Sequence, residues 1–328
     1  MNRSTAQKES TPKVSVCIPV YNGAKYIQRA VESALEQDYQ DFEIVIVDNC
    51  STDATAVIIE NIVKQCDKIR FFRNNRNIGL AGNLNKCVEH ACGEYIKFLC
   101  VDDLLLPGCL KQMTAVLNNQ ATVSLVCCGR LTIDDKGMAF GLRHFTKGNK
   151  RMGGHNAISR CMFGGNFIGE PTAVMFRKSD LVSSFRDDLP QLMDMELWFR
   201  ILEQGDLWSI GAPLCSIQSH YAQITHANVQ SGKLIIDNIR LFSEFSNKPY
   251  LIVSPWRIFC HKFLMTYRTW HSRKYISSNF RKEVLTQYGI RWLFFAMPVF
   301  YDSLRVIRKT RSYSMIFMRQ FDRLICCR

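Results

Sequence analysis

An apolar run that ends in two adjacent carboxylates constrains this chain more than any other stretch: Tyr95-Ile96-Lys97-Phe98-Leu99-Cys100, then Val101-Asp102-Asp103. Gly93 bounds the run upstream, and Leu104-Leu105-Leu106-Pro107 follows it. Such a run reads as a buried strand, and open α/β sheets take their ligands at the carboxyl ends of buried strands. Two neighbouring carboxylates repel unless a cation or hydrogen-bond donors offset the charge. A hard divalent metal carrying a phosphate-bearing ligand is the usual partner. The plainer alternative makes both acids loop residues ahead of the helix after Pro107.

The residues before that run repeat its pattern. Val14-Ser15-Val16-Cys17-Ile18-Pro19 reads as a buried strand ended by Pro19 and the Asn22-Gly23 turn. Asn22 is placed to cap the next helix, in which Ile27, Ala30, Val31, Ala34 and Leu35 recur at helical spacing. Phe42 to Val47 forms a second strand with Asp48 at its carboxyl end, and Ser51-Thr52-Asp53 supplies N-cap chemistry for a helix from Ala54 to Cys66. Ile69 to Phe72 is a third strand, and Asn77-Ile78-Gly79 opens a helix ending near Ala91. Apolar strands alternating with helices predict a mostly parallel sheet covered on both faces. Asn22, Asp48, Asp102 and Asp103 then share one sheet edge and can converge on one ligand.

Further on, the pattern predicts a helix to about Asn118, a strand over Val123–Cys128, a hairpin turn at Asp134 to Gly137 and a mobile loop from Lys147 to Gly154. Thr172 to Phe176 is strand-like, and Met195 to Leu202 is an amphipathic helix preceded by Asp194. From Pro255 the pattern is helical, aromatic and basic.

With 47% apolar and 22% charged residues the chain is globular and able to bury a core. No stretch reaches the roughly 20 apolar residues of a spanning helix, and Met1 to Lys13 lacks the apolar core of a secretory signal. Fourteen cysteines with no Cys-x-x-Cys point to core thiols in a reducing, cytoplasmic setting, away from zinc or a disulfide framework. The net charge of +13 is concentrated: Pro255 to Arg328 holds fifteen Lys or Arg against three acids. A basic segment without a recognised motif is a weak nucleic-acid footprint, so no nucleic-acid partner is expected. Interleaved with Trp256, Phe259, Phe263 and Trp270, and farther on with Phe300, Leu304 and Ile307, it instead predicts peripheral contact with an anionic membrane surface. The competing reading is an ordinary helical subdomain with a solvated basic face.

Val16 to Asn22, Val45 to Asp53, Asn77-Ile78-Gly79 and Val101-Asp102-Asp103, in that order, resemble the motifs of the inverting GT-A glycosyltransferases of family 2. The resemblance covers roughly residues 13 to 226. It implies a nucleotide-sugar donor, usually UDP- or dTDP-linked, a divalent cofactor, Mn2+ or Mg2+, and a saccharide or lipid-linked saccharide acceptor in cell-surface polysaccharide biosynthesis. Asp48 would hold a pyrimidine ring through its imide hydrogen. Pro19, Tyr21, Asn22 and Asn77 would line the donor pocket, Asp102 would bind ribose or stand behind the residues that touch the ligand, and Asp103 would touch the metal. Met193-Asp194-Met195-Glu196-Leu197-Trp198 resembles the segment that carries the family's catalytic base, which puts Asp194 in that role. Ser219-His220-Tyr221 resembles the segment whose histidine approaches the metal or diphosphate.

Two positions depart from the pattern. Asn49 replaces the commoner second acid after the second strand, and Met193 replaces the usual Glu before the base. They leave open a non-catalytic nucleotide-sugar-binding or scaffolding protein. The expected organisation is a disordered terminus over 1–12, a GT-A domain over 13–230 and a helical, basic region over 231–328. The expected location is the cytoplasmic face of the membrane.

Overall fold

The computed structural model describes residues 11–134, 136–219, 228, 231–288 and 294–295. The terminus expected to be disordered lies largely outside the described residues, as do His220 and most of the chain beyond residue 288.

The order of elements alternates as expected over the first third: β1 (Val14–Val20), α1 (Ile27–Leu35), β2 (Phe42–Asp48), α2 (Thr55–Val63), β3 (Ile69–Arg73), α3 (Gly79–His90) and β4 (Tyr95–Phe98). Then come β5 (Leu104–Leu105), α4 (Cys109–Asn119), β6 (Val123–Ile133), β7 (Ala139–Arg143), β8 (Lys150–Met152), α5 (Gly154–Gly164), β9 (Val174–Arg177), α6 (Met193–Leu202) and β10 (Asp206–Gln218). Three helices follow, α7 (Lys233–Phe245), α8 (Pro255–His271) and α9 (Ser278–Tyr288).

The strands form one sheet in the order β3-β2-β1-β4-β9-β6-β10-β5, with β7 added beside β6 and β8 beside β10. β3, β2, β1 and β4 are mutually parallel, and β9 runs against both β4 and β6. Every residue of β1 and β2 is buried, as parallel strands covered on both faces require. On one face Val16, Ile18, Ile44 and Ile46 pack with Ile27 and Val31 of α1, Ile59 of α2 and Leu110, Met113 and Leu117 of α4. α3 lies against β1 and β2 with Leu84 and Cys87 buried.

β1 continues through Pro19 to Val20. The Leu99 N–H donates to Cys17 O, so the odd-numbered residues of β1 bond toward β4. The β4 ladder ends where Phe98 faces Cys17, and Pro19 falls just beyond it, where the missing N–H removes no ladder bond. The segment expected to be a mobile loop contains β8, which pairs antiparallel with β10 from Leu207 opposite Met152 to Ser209 opposite Lys150. Its Gly- and Lys-rich composition concealed an edge strand, which Arg151 also ties through Nε to Asp206 Oδ2 at 2.6 Å.

The chain divides into two compact units. Residues up to Gly154, Ile168–Asp187 and Leu197–Ser219 form the first, while His155–Phe167 and Asp188–Glu196 group with the C-terminal helices. Specific contacts account for the second grouping. Asp237 Oδ2 accepts from the Gln191 and Leu192 N–H groups at 2.6 and 3.1 Å, Phe163 meets Phe242 edge to face, and His155 stacks on Tyr250. Ile235, Ile239, Met265, Trp270 and Val284 form the apolar centre of α7, α8 and α9. Ser254 caps α8 by accepting from the Arg257 N–H at 3.3 Å, with Pro255 at the first helical position.

At the amino end of the parallel half, buried Glu43 accepts from Ser15 Oγ and the Cys92 N–H, each at 2.6 Å, and from Arg70 Nη1 at 2.8 Å. Gly93 must lie against β1 there, since a Cβ would come within 2.5 Å of Ser15 N. Burial works against ionisation of Glu43, but hydrogen bonds from Ser15, Arg70 and the Cys92 N–H outweigh it and hold the carboxyl below its ordinary value of 4.5. A carboxyl lowered by folding stabilises the fold above that ordinary value and loses its contribution as pH falls through the lowered one. Thermal unfolding across pH should therefore find Glu43→Gln less stable than wild type at neutral pH, with the gap closing below about pH 4.5. A gap that stays constant to about pH 3 would contradict the assignment.

Candidate active site

From β1 the chain proceeds to β2 and β3 on one side, and β4 then joins on the other. The carboxyl ends of β1 and β4 therefore flank a point where the strand order reverses, and such a point opens a crevice for a ligand. Tyr21-Asn22-Gly23 leaves β1 there, Asp48 ends β2, and Val101-Asp102-Asp103 follows β4. Gly23 packs so closely that a Cβ would meet Val20 and Val101 at 2.7 and 2.8 Å.

Asn22 does not cap α1, which starts four residues beyond Gly23. It adopts φ 51°, its Oδ1 accepts from the Thr52 N–H at 2.9 Å, and its own N–H donates to Ser51 Oγ at 2.8 Å. These bonds tie the β1–α1 loop to the β2–α2 loop, so tertiary pairing overrides the local capping preference. Tyr21 stands exposed beside them. Asp53 accepts from the Thr55 and Ala24 N–H groups, as a helix-entrance acid.

Asp48 is fully buried. Its Oδ1 accepts from the Ser51 N–H at 3.0 Å and Ser51 Oγ at 2.5 Å. Its Oδ2 lies 3.1 Å from Arg73 Nε but accepts no hydrogen bond among the described residues. The Arg73 guanidinium offsets its charge, and an N–H group of a ligand would supply the missing hydrogen bond. Arg73, at the end of β3, also donates to Ser51 O at 2.9 Å. Its place at a strand end was the only signal of it in the sequence.

Asp103 is buried as well, with Oδ2 accepting from Thr172 Oγ1 at 2.6 Å and Oδ1 from the Gln218 N–H at 3.0 Å. Burial, then the charge of Asp102, pushes its carboxyl well above the ordinary carboxylate range. A cation placed at the pair would reverse that shift. Among the described residues no cluster of three or more His, Cys, Asp or Glu could hold a metal ion alone. Two adjacent carboxylates nevertheless suit Mg2+ or Mn2+, which complete their shells with phosphate and water oxygens.

Asn49 uses its full hydrogen-bonding capacity. Its amide donates to Asn77 Oδ1 at 2.9 Å and Gly79 O at 3.1 Å, and its Oδ1 accepts from the Ile78 N–H and Asn74 Nδ2, each at 3.0 Å. Asn74 also reaches Asn83, which donates to Val47 O. Where the family pattern more often has an acid, this chain carries a residue that fixes the Asn74–Gly79 loop. Asn77 Oδ1 is occupied there, leaving its amide hydrogens for other partners.

Pro19, Tyr21, Asn22, Asp48, Asn77, Asp102 and Asp103 thus lie on adjoining strand ends and loops of the first unit. Asp194 belongs to the second. It occupies the first turn of α6, half-buried, with Oδ1 accepting from the Met195 N–H at 2.7 Å and Oδ2 from Asn166 Nδ2 at 3.3 Å. Glu196 and Met193 on the same helix are buried.

Residues 15–184 match the family model described as Glycosyl transferase family 2. The chain belongs to that family and is a glycosyltransferase with the α/β, mostly parallel GT-A fold. It is 34% identical over 254 residues to the uncharacterized protein MT1568 of Mycobacterium tuberculosis, covering 74% of this chain and 77% of that one. It is 37% identical over 108 residues to a GalNAc(5)-diNAcBac-PP-undecaprenol beta-1,3-glucosyltransferase of Campylobacter jejuni, covering 33% and 35%. Among solved structures, S. aureus TarS 1-349 in complex with UDP-GlcNAc superposes with a TM-score of 0.55 at 19% identity, over 84% of this chain and 71% of that one. The mannosyltransferase PcManGT of Pyrobaculum calidifontis, with GDP-Man and Mn2+, gives 0.57 at 16% identity, over 97% and 86%.

The asparagine network makes a specific prediction. Asn49→Asp removes both donors and sets a carboxylate against Asn77 Oδ1 and Gly79 O, so it should be worse than Asn49→Ala. Melting curves should show both variants less stable than wild type, Asn49→Asp the more so. Wild-type behaviour of the Asp variant would refute the scaffold role.

Proposed function

We propose that this glycosyltransferase moves a sugar, with inversion, from a UDP- or dTDP-linked donor to a saccharide acceptor carried on a lipid, in polysaccharide biosynthesis. The observation that carries the donor reading is Asp48 Oδ2, a buried acceptor without a hydrogen bond at the end of β2, one strand from the reversal point of the sheet. Because Ser51 already occupies Oδ1, a single acceptor oxygen remains. That matches the one imide N–H of uracil or thymine better than the paired donors of guanine. The TarS complex with UDP-GlcNAc supports this choice, while PcManGT shows that the fold also accepts GDP-Man.

In this reading Asp48 holds the base, Tyr21 lies against it, and Asn77 and Asn22 shape the pocket rim. Asp102 accepts from a ribose hydroxyl, and Asp103, with Asp102 beside it, would hold Mn2+ or Mg2+; His220 is the further candidate ligand. Bound there, the metal supplies Lewis-acid stabilisation of the departing diphosphate. Asp194 takes the proton of the acceptor hydroxyl as its oxygen bonds to the anomeric carbon. The bond from that carbon to the phosphate oxygen breaks on the opposite face, which inverts the centre, as in inverting glycosidases. The Met195 N–H and Asn166 hold the base carboxylate in position. Asp194→Asn should keep donor affinity and lower turnover by about 10²–10⁴-fold. Loss of donor binding in that variant would remove Asp194 from the base role.

The lipid-linked acceptor draws support from the undecaprenol-linked substrate in the Campylobacter relative's name and from the surface of the C-terminal helices. No helix among the described residues is long and apolar enough to cross a membrane. Ile252, Trp256 and Phe259 are instead 91, 68 and 45% exposed, on a segment where seven Lys or Arg face one acid between Pro255 and Tyr288. Aromatic side chains beside basic ones suit the interface of an anionic leaflet, and the cytoplasmic face is the one that would present it. Sedimentation with phosphatidylglycerol vesicles at low salt should retain the wild-type chain. Replacing Trp256 and Phe259 by serine should weaken retention on the order of tenfold. Equal retention of the double variant would refute this surface as the anchor.

A further inference from the structure

Lys97 lies in the middle of β4 with none of its surface exposed. A buried ammonium is strongly unfavourable unless its donors are satisfied. Its nearest partners are backbone carbonyls: Nζ donates to Thr172 O and, at 3.4 Å, to Val174 O. Both belong to the short 3₁₀ turn Pro171–Ala173 and the start of β9, so the lysine pins that turn against the central strand.

The pinned turn carries Thr172, also fully buried. Its hydroxyl accepts from the Cys100 N–H at 3.0 Å, which directs its one proton the other way, onto Asp103 Oδ2 at 2.6 Å. The Gln218 N–H holds the opposite oxygen of the same carboxylate. Asp103 is therefore fixed from both sides, and each contact leaves that oxygen a further lone pair. The charges of Lys97 and Asp103 also attract one another, though more weakly than Lys97 interacts with its other neighbours.

We propose that Lys97 and Thr172 are positioning residues for the metal-dependent step. The buried ammonium holds the Thr172 turn, and the Thr172 hydroxyl holds the Asp103 carboxylate in the orientation that receives a divalent cation together with the donor's diphosphate. This rests on the reading of Asp103 as the metal-touching acid.

The test is calorimetric titration of Mn2+ into the full chain with UDP present, alongside UDP binding in EDTA and a melting curve, for wild type, Thr172→Val, Thr172→Ser and Lys97→Met. Valine keeps the shape of threonine without the hydroxyl, and methionine keeps the length of lysine without the charge. Thr172→Val and Lys97→Met should each lose apparent Mn2+ affinity on the order of tenfold or more, while metal-free UDP binding, which reads Asp48 and Tyr21, stays at the wild-type value. Thr172→Ser, which retains the hydroxyl, should recover most of that loss. Should Lys97→Met fail to fold, the Thr172 pair still decides. Wild-type Mn2+ affinity in Thr172→Val overturns the proposal. So does parallel loss of Mn2+ affinity, metal-free UDP binding and melting temperature, which marks a merely structural role. A wild-type chain whose UDP binding ignores Mn2+ overturns the metal reading of Asp103 itself, an outcome distinct from either.

Discussion

Parallel pairing grips β1 from both sides, β2 on one flank and β4 on the other, and the ligand edge depends on it. Because all three strands point the same way, their carboxyl ends emerge together, and the loops that follow meet at one edge. The constraint is tight. Gly23 leaves no room for a Cβ between Val20 and Val101, and the Asn22 and Ser51 side chains lace the first two loops across the gap. A shift of β1 by one residue would move Tyr21 and Asn22 to the opposite sense of the pleat and break every one of these contacts.

The same edge keeps its acids in different states. Asp48 has one oxygen tied to Ser51 and the other beside Arg73 without a hydrogen bond. It can accept from a ligand without first losing a partner. Asp103 has both oxygens engaged and its proton affinity raised by burial and by Asp102, so a cation is the natural complement. In the function proposed above, carboxylates on neighbouring loops of one sheet would thereby serve different ligand groups, one a neutral N–H and one a positive ion.

Which parts of this were legible in the sequence follows from where the contacts originate. Asp48, Asp102 and Asp103 could be read because each stands at the end of an apolar run, and the run itself predicts the strand. The groups that hold them could not. Thr172 lies 69 residues from Asp103, and Gln218 lies 115. Lys97 read as one polar residue in an otherwise apolar strand, since nothing local announces that a turn 75 residues away supplies its acceptor. Asn49 read as a missing acid because a sequence shows the absent charge and not the four hydrogen bonds that replace it. Asn22 read as a helix cap for the opposite reason, since its local preference is strong and the competing partner, Thr52, is 30 residues distant.

The strand order also bears on how the chain assembles. The four strands β3-β2-β1-β4 are complete once residue 98 has been made, whereas β6 has only the short β7 beside it until β9 and then β10 arrive. The long β6–β10 ladder joins residues more than eighty positions apart, and closing so large a loop is entropically slow. During synthesis the free flank of β4 and the apolar length of β6 are thus open edges at the same time, and open edges invite pairing with other chains. The half that carries Asp48 can form early, but the turn whose Thr172 bonds Asp103 waits for the second half of the sheet. Slow or interrupted completion of that half would yield a chain that is folded around β1 and still catalytically incompetent.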